Sequence, residues 1–133
     1  MEKQHKVQCY AAPLEGITGY IYRNAHQHIF QGVDKYFTPF IPAAKKMSKK
    51  IKRDLAAENN GQIRLVPQLI GNRADEFLMM IRQLEELGFT SVNLNFGCPS
   101  GTVVSKRKGA GFLEEPEELE NVGVRNRRHM NEG

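Results

Sequence analysis

The stretch "IRLVPQLIGNRADEFLMMIRQLEELGFTSVNLNFG", residues 63–97, predicts a strand, a helix and a second strand in direct succession. Residues 63–71 are mostly apolar and are bounded by glycines, which is typical of a buried parallel strand. Residues 90–97 alternate apolar side chains with asparagines, which favours a strand with one buried face. This order predicts two parallel strands joined by a crossover helix.

The helix between these strands has a start signal, an apolar face and a stop signal. Asn72 is the expected N-cap, and Asp75 and Glu76 follow in the first turn, where carboxylates interact favourably with the helix dipole. Gly88 is the expected stop, because glycine readily adopts the left-handed backbone that ends helices. The apolar face consists of residues at helical spacing: Phe77, Met80, Ile81, Leu84 and Leu87.

Similar patterns repeat upstream. The predicted elements are a strand at 6–13, a helix at 17–30, a strand at 34–41, a helix at 44–55 and a turn at 58–62. Thr18 is the expected N-cap of the first of these helices. The second has an apolar stripe made of Ala44, Met47, Ile51 and Leu55. Strands that alternate with helices predict an α/β fold with a parallel sheet.

Short polar or glycine-containing motifs follow the predicted strands at their carboxyl ends. They are "AAPLEG" (11–16), "PFI" (39–41), "QLIG" (68–71) and "NFGCPSG" (95–101). Because parallel strands end at one rim of a sheet or barrel, we expect these motifs to converge. The rim is therefore the predicted functional site.

The two cysteines have opposite contexts. Cys98 lies between Gly97 and Pro99, on the turn after the last predicted strand, which suits a reactive thiol held at the rim. A small buried side chain is an equal alternative at that position on local context alone. Cys9, inside the first predicted strand, is interpreted as a core residue. Neither the cysteines nor the four histidines have metal-ligand spacing, so no metal site is predicted.

Two amide side chains lie at predicted strand ends. Asn95 points away from the apolar face of its strand, and Gln68 opens the "QLIG" motif. Either amide can bond a ring nitrogen or carbonyl of a ligand. Each can instead bond the backbone of its own loop, which is the reading that the residues alone favour. Pro13 and Gly16 form a loop whose backbone can approach a flat ligand closely.

Basic residues are unevenly distributed along a chain whose net charge is +4. Residues 45–53, "KKMSKKIKR", hold six of the 19 basic residues and no acid. Such clusters suit a polyanion, although a solvated helix face or loop is the reading that the residues alone slightly favour. The candidate contacts are Lys45, Lys46, Lys49, Lys50, Lys106, Arg107 and Lys108.

Length and hydropathy limit the number of domains and the classes of protein that the sequence can represent. The 133 residues suit one domain. The chain has neither a run of about 18 apolar residues nor a leading basic-then-apolar segment, so neither a membrane span nor a secretory signal is predicted. We expect a cytoplasmic protein with free thiols.

Taken together, three stretches resemble the bacterial tRNA-dihydrouridine synthases. "AAPLEGITGYIYR" (11–23) resembles the family's first flavin loop, A-P-M-x-G-V-T-D-x-x-F-R, with Leu14, Gly19 and Tyr22 in place of Met, Asp and Phe. "VPQLIGN" (66–72) resembles its Q-L-x-G strand end. "VNLNFGCPSGTVVSKRKGAGFL" (92–113) resembles the block around its active-site cysteine, and the similarity covers about residues 6–120.

The resemblance implies a fold, a reaction and roles for particular residues. It implies the N-terminal half of a (β/α)₈ TIM barrel, with about four βα units, that binds FMN and uses NAD(P)H to reduce the C5–C6 bond of uridine in tRNA. Cys98 matches the proton donor. The implied cofactor-binding residues are Pro13, Leu14 and Glu15 along the flavin, Gln68 as a side-chain contact, and Asn95 near flavin and uracil.

A complete barrel of this type needs about 250 residues. Residues 1–120 are therefore interpreted as a partial FMN-binding barrel domain, and 121–133 as a disordered tail without a family match. A lysine, a histidine and phosphate-binding loops that the family places later have no counterpart in this sequence. We interpret the chain as truncated or frameshifted, so that activity does not follow from ancestry, and dimerisation would close its open strand edges.

Two other readings remain open. Another flavin barrel, similar to dihydroorotate dehydrogenase, also acts on the C5–C6 bond of a pyrimidine. The chain can also be a non-catalytic fragment or an RNA-binding remnant.

Overall fold

The computed structural model describes residues 6–61 and 63–95. The helices of this part are α1 (Tyr20–Ile29), α2 (Lys49–Leu55), α3 (Ala57–Asn60) and α4 (Ala74–Glu86). The strands are β1 (Tyr10–Ala11), β2 (Lys35–Phe37), β3 (Ile41–Pro42), β4 (Leu65–Val66), β5 (Gln68–Ile70) and β6 (Asn93–Leu94). The predicted tail, 121–133, lies outside the described residues.

All strand pairs of the described residues are parallel. β2 lies between β1 and β4 in one sheet, and β5 lies between β3 and β6 in another. Parallel neighbours need crossover connections, which the helices supply. The predicted α/β class with parallel strands and intervening helices is therefore confirmed.

Each of the two long predicted strands is divided between the two sheets. The stretch 34–41 contains β2 and β3, and the stretch 63–71 contains β4 and β5. Thr38 lies at the division: its N–H donates to Val66 O at 3.1 Å, and its hydroxyl accepts the N–H of Gln68 at 3.0 Å. The hydroxyl thus replaces a main-chain acceptor, and Pro39, which has no N–H, follows at once. The prediction of two continuous strands was wrong in this respect.

The core lies between β3, β5 and β6 on one side and α2 and α4 on the other. Leu69, Phe77, Met80 and Leu84 are fully buried, and each contributes about 1.5–3 kcal/mol by leaving water. The predicted burial of the stripe is confirmed, since Met47 and Leu55 belong to this core and Ala44 and Ile51 pack against it. Its helical placement is confirmed only for Ile51 and Leu55, because Ala44 and Met47 lie before α2. Leu87, predicted for the apolar face of α4, is instead 47% exposed beyond the last turn.

The starts of α4 and α2 differ from the prediction. α4 begins one residue later than expected, with Arg73 rather than Asn72 as N-cap. α2 begins at Lys49, because the hydroxyl of Ser48 accepts the N–H of Ile51 and so caps the helix there. Gly88 does end α4, with φ of +93°. The short helix α3 overlaps the predicted turn at 58–62.

α1 is anchored by a polar residue rather than by an apolar stripe. Arg23 is its buried residue, whereas Ile21, Ile29 and Phe30 are exposed in the described part of the chain. Thr18 is not the N-cap, because its hydroxyl is bonded to the N–H and carbonyl of Leu14. Gly19 occupies the N-cap position, and a carboxylate from α2 takes up the capping role.

Cys9 is exposed, so its interpretation as a core residue was wrong. The regular strand begins only at Tyr10, one residue later. The backbone of Cys9 is nevertheless tied to Asp34: its N–H donates to Oδ2 and its carbonyl accepts the Asp34 N–H, both at 2.7 Å. The backbone is paired here, but no packed layer of the described residues covers the side chain.

Candidate functional site

Gln68, Asn93 and Asn95 form a hydrogen-bonded set of amides at β5 and β6. Nε2 of Gln68 donates to Oδ1 of Asn93 at 2.9 Å, and Nδ2 of Asn95 donates to Oε1 of Gln68 at 3.2 Å. The strand register sets this proximity, because Gln68 is paired with Asn93. The structure therefore brings together Gln68 and Asn95, which the sequence predicted as site residues, and adds Asn93. We call these three side chains the amide set.

The amide set projects from the sheet face opposite the helices. Ile41, Leu69 and Leu94 are paired across three strands, and they pack in or against the core beneath α4. Successive side chains of a strand point to opposite faces, so Gln68 and Asn93 point away from that core. The amides are half-buried, which leaves them accessible to a ligand. Asn93 was overlooked because its alternation with Leu94 was read only as a strand signal.

Aromatic side chains lie on the neighbouring strands of the first sheet. The rings of Tyr10 and Phe37 have centroids 6.0 Å apart in an edge-to-face arrangement. Nζ of Lys35 lies 5.0 Å from the centre of the Tyr10 ring. The first sheet thus places two aromatic rings and a cation side by side.

The loop after β1 is a closed turn that exposes its side chains. The carbonyl of Leu14 accepts the N–H groups of Ile17 and Thr18 at 3.1 and 3.0 Å, and Gly16 adopts a φ of +75°. The predicted residues Leu14 and Glu15 are exposed, and Pro13 is half-buried. An exposed loop that is closed by hydrogen bonds at a strand end can contact one side of a flat ligand.

A buried ion pair, which the sequence analysis did not anticipate, holds α1 and therefore the loop before it. Arg23 is 1% exposed, and its guanidinium pairs with Asp54 Oδ2 at 3.1 Å. It also donates to the Thr18 carbonyl and to Asn60 Oδ1, each at 2.9 Å. The available signal was Asp54 itself, the single acid that directly follows the basic run 45–53.

A cleft of about 130 Å³ lies between α1 and the strands β1 and β2. Leu14, Tyr22 and His26 are among its lining residues, whereas Gln68 and Asn95 are not. Tyr36 also lines it, and its hydroxyl lies 2.7 Å from Nδ1 of His26. Burial, and to a lesser degree the neighbouring Tyr22 and Cys9, raises the pKa of Tyr36. This cleft is separate from the amide set.

The basic segment lies on and before α2. Lys45 and Lys46 are exposed in the turn between β3 and α2, and Lys49 and Lys50 are exposed in the first helical turn. The ion pairs of the described residues join Arg23 to Asp54 and Arg73 to Asp75, so these four lysines are left unneutralised there. The other predicted site residues, Cys98, Lys106, Arg107 and Lys108, lie outside the described residues.

The described residues contain neither a metal-binding cluster nor a membrane-spanning helix. No group of three histidine, cysteine, aspartate or glutamate side chains in 6–61 and 63–95 is arranged to hold a metal ion. Nor does any helix in that part of the chain have the length and apolar character needed to span a bilayer.

Comparison with known proteins agrees with the motifs around these residues. Residues 10–128 match the family model of dihydrouridine synthase (Dus). A probable tRNA-dihydrouridine synthase of Staphylococcus epidermidis is 27% identical over 110 residues, which cover 80% of this chain and 33% of the relative. A tRNA-dihydrouridine(16) synthase of Pseudomonas putida is 31% identical over 122 residues, which cover 85% of this chain and 37% of the relative.

The chain thus spans about a third of the length of curated relatives that it matches. The matched range begins in β1 and includes the loop after it, the basic segment, the amide set and the position of Cys98. The family model covers far more than half of the 133 residues, and the chain belongs to the dihydrouridine synthase family.

Proposed function

We propose that this chain supplies the N-terminal part of a flavin-dependent tRNA-dihydrouridine synthase, which reduces the C5–C6 bond of a uridine in tRNA. The observation that carries the proposal is the amide set, whose member Asn95 lies three residues before Cys98 in the sequence. A polar recognition edge and a thiol on the following turn are what a uracil ring requires for binding and for proton transfer. A cytoplasmic location would follow from the tRNA substrate.

The side chains at the rim fit a flavin ring. Amide donors and acceptors of the amide set complement the alternating ring nitrogens and carbonyls of an isoalloxazine. The exposed loop residues Pro13, Leu14 and Glu15 would lie along the ring, with Gln68 and Asn95 at its polar edge. When bound, reduced FMN supplies the hydride that C6 of the uracil takes, and NAD(P)H restores the reduced flavin.

Cys98 would donate its thiol proton to C5 of the same uracil. The hydride at C6 and the proton at C5 together saturate the bond, so dihydrouridine and a thiolate are the products on this side of the reaction. A turn between glycine and proline would hold the sulfur at one position, as general acid catalysis requires. The uracil must leave its base stack to reach such a rim, which tRNA loops permit.

The basic segment would bind the tRNA backbone. Lys45, Lys46, Lys49 and Lys50 are exposed without acidic partners among the described residues, and Lys106, Arg107 and Lys108 would extend the basic surface near the thiol. Phosphate contacts of this kind position a substrate without reading its sequence.

The parallel strands and crossover helices fit the first half of a (β/α)₈ barrel, in which the amide set would face the interior. Two copies of the chain would be one way to pair edge strands such as β1 and β6. In either arrangement the rim residues proposed above come from this chain.

The test is FMN binding to the 133-residue chain, measured by quenching of flavin fluorescence and accompanied by size-exclusion chromatography. We expect stoichiometric quenching, and weaker binding in Gln68→Leu and Asn95→Ala than in Gln27→Leu, a control on α1. A tRNA reduction assay with Cys98→Ala then tests the proton donor, which should lose product formation while retaining FMN.

Three outcomes would contradict the proposal. Absence of quenching by a folded, monodisperse chain would show that the chain does not bind FMN. Binding of tRNA that survives Cys98→Ala without any bound flavin would favour the non-catalytic RNA-binding alternative. Reduction of free pyrimidine in preference to tRNA would favour a chemistry closer to that of dihydroorotate dehydrogenase.

A further inference from the structure

The turn between β3 and α2 is held in place by one side chain of α4. Oε1 of Gln83 accepts the N–H of Met47 at 3.0 Å, and its Nε2 lies 3.2 Å from the carbonyl of Lys45. The same Nε2 is 3.2 Å from the carbonyl of Met79, one turn earlier in α4. One amide thus bonds a donor and an acceptor of the turn, much as a neighbouring strand would.

The turn alternates between burial and exposure. Met47 is 3% exposed and belongs to the core, whereas Lys45 and Lys46 project into solvent. Because Gln83 fixes the backbone on both sides of Lys46, it limits the positions that the two ammonium groups can reach.

α2 continues the positive charge on its outer side. Ile51 and Leu55 face the core, so Lys49 and Arg53, four residues apart, point away from it. Lys50 and Lys52 flank this line and are also exposed. We call these groups the cationic surface: Lys45, Lys46, Lys49, Lys50, Lys52 and Arg53.

The N-terminal part of the cationic surface opposes the stability of its own helix, whereas Lys52 and Arg53 lie in the last turn, where positive charge is favourable. α2 has no acid in its first turn but has Lys49 and Lys50 there, where positive charge is unfavourable beside the helix dipole. Lys49 and Arg53 are like charges at a spacing that is also unfavourable. The ion pairs of the described residues neutralise none of the six. A polyanion would relieve all of these repulsions at once.

We propose that Gln83 is a positioning residue for RNA binding, which orders Lys45 and Lys46 in line with α2, and that the RNA contact extends along α2 to Lys52 and Arg53. This rests on the tRNA partner of the proposed function. Ordering a lysine on binding costs conformational entropy, and a backbone that is already fixed reduces that cost.

The first experiment tests the turn without RNA. Gln83→Met removes both hydrogen bonds to the turn while keeping a side chain of similar volume, and Gln27→Met on α1 is the matched control. Amide hydrogen exchange at Met47 should accelerate in the first variant only, while exchange at Met80 in the middle of α4 stays unchanged. Equal exchange at Met47 in the two variants would overturn the role of Gln83.

The second experiment measures binding of unfractionated bacterial tRNA over a range of salt concentrations. Gln83→Met should weaken binding about three- to tenfold through the disordered lysines. In a chain that already carries Lys45→Ala and Lys46→Ala, the same substitution should have no further effect. Equal losses in both backgrounds would mean that Gln83 acts through general stability, and would overturn its positioning role.

The proposed RNA contact along α2 is tested by the salt dependence of binding. Lys52→Ala and Arg53→Ala should each reduce the slope of log affinity against log salt by about 0.7–0.9, the value for one phosphate contact. An unchanged slope would confine the contact to the earlier lysines. Failure of the unaltered chain to bind any tRNA would overturn the RNA partner and with it the positioning role, whereas the exchange experiment decides separately whether Gln83 orders the turn.

Discussion

Arg23 and Asp54 join α1 to α2 through an ion pair of 3.1 Å in which the arginine is 1% exposed and the aspartate 25% exposed. The second carboxylate oxygen of Asp54 accepts the N–H of Tyr20 at 2.8 Å. One acid therefore neutralises a buried cation and also caps a helix to which it does not belong. The position of α1, and of the exposed loop before it, depends on this carboxylate.

Removal of the carboxylate should destabilise the chain strongly. Asp54→Ala would leave a buried guanidinium without its counter-charge, and we expect a loss of about 3–5 kcal/mol in the free energy of unfolding. Asp75→Ala is the matched control, because it breaks the exposed pair with Arg73 and should cost less than about 1 kcal/mol. Urea denaturation measures both. Similar losses would show that the Arg23–Asp54 pair is not energetically special.

The effect of Gly19→Asp on the free energy of unfolding should depend on the residue at position 54. The substitution should destabilise the chain that has Asp54 and stabilise the chain that has asparagine there. Gly19 has extended backbone, so aspartate fits there, but its Cβ would lie 3.4 Å from Oδ1 of Asp54. Two carboxylates would then compete for one helix terminus, and we expect a loss of about 1 kcal/mol. In an Asp54→Asn background the new acid should instead stabilise the chain by a similar amount. Additive effects in this double-mutant cycle would contradict the shared cap.

Gly71→Ala should overpack the core. Its Cβ would lie 2.9 Å from Cβ of Ala43 and 3.1 Å from the ring of Phe77, so one of these neighbours must move. We expect a loss of about 1–3 kcal/mol. Gly32→Ala, which would meet no atom within 4 Å, is the control and should leave the midpoint of thermal unfolding nearly unchanged. A tolerated Gly71→Ala would mean that α4 packs less tightly on β5 than described.

The alkaline limit of stability should depend on Tyr36. Burial raises the pKa of this phenol above its ordinary value of about 10, so the folded state keeps the proton when the unfolded chain has lost it. Its contribution is fully present below pH about 10 and is lost as the pH rises through the raised pKa. Tyr36→Phe should flatten the fall of unfolding free energy in that window. An identical fall in both proteins would contradict the assignment.

The parts of the fold that follow from periodic apolar residues could be read from the sequence. The buried face of α4 and the burial of Ile51 and Leu55 on α2 follow from residue spacing, and the alternation of strands with helices predicts the parallel sheets. The break at Thr38 could not be read in the same way, because a threonine hydroxyl that accepts Gln68 N–H leaves no periodic signal. The packing of α1 could not be read from spacing either. Its apolar residues have helical spacing and predict an apolar buried face, but the buried residue that anchors the helix is Arg23.

The candidate site was predictable to the extent that strand ends define it. Gln68 and Asn95 were found as single residues, and their contact required the register that pairs β5 with β6. Asn93 and Gln83 were missed for one reason: each acts through a hydrogen bond to another part of the chain, and a polar residue at a strand or on a helix gives no sign of its partner. The spacing of residues along the chain does not show which polar groups contact each other in the folded protein.

The hydroxyl of Thr38 has a consequence for the evolution of the family. A parallel sheet usually continues through main-chain groups that every residue possesses, so its course is insensitive to substitution. At this division the acceptor for Gln68 belongs to a side chain, and only threonine or serine offers it in the same position. We therefore expect relatives that share the division to retain a hydroxyl there, and relatives with another residue to run the two sheets as one uninterrupted ladder.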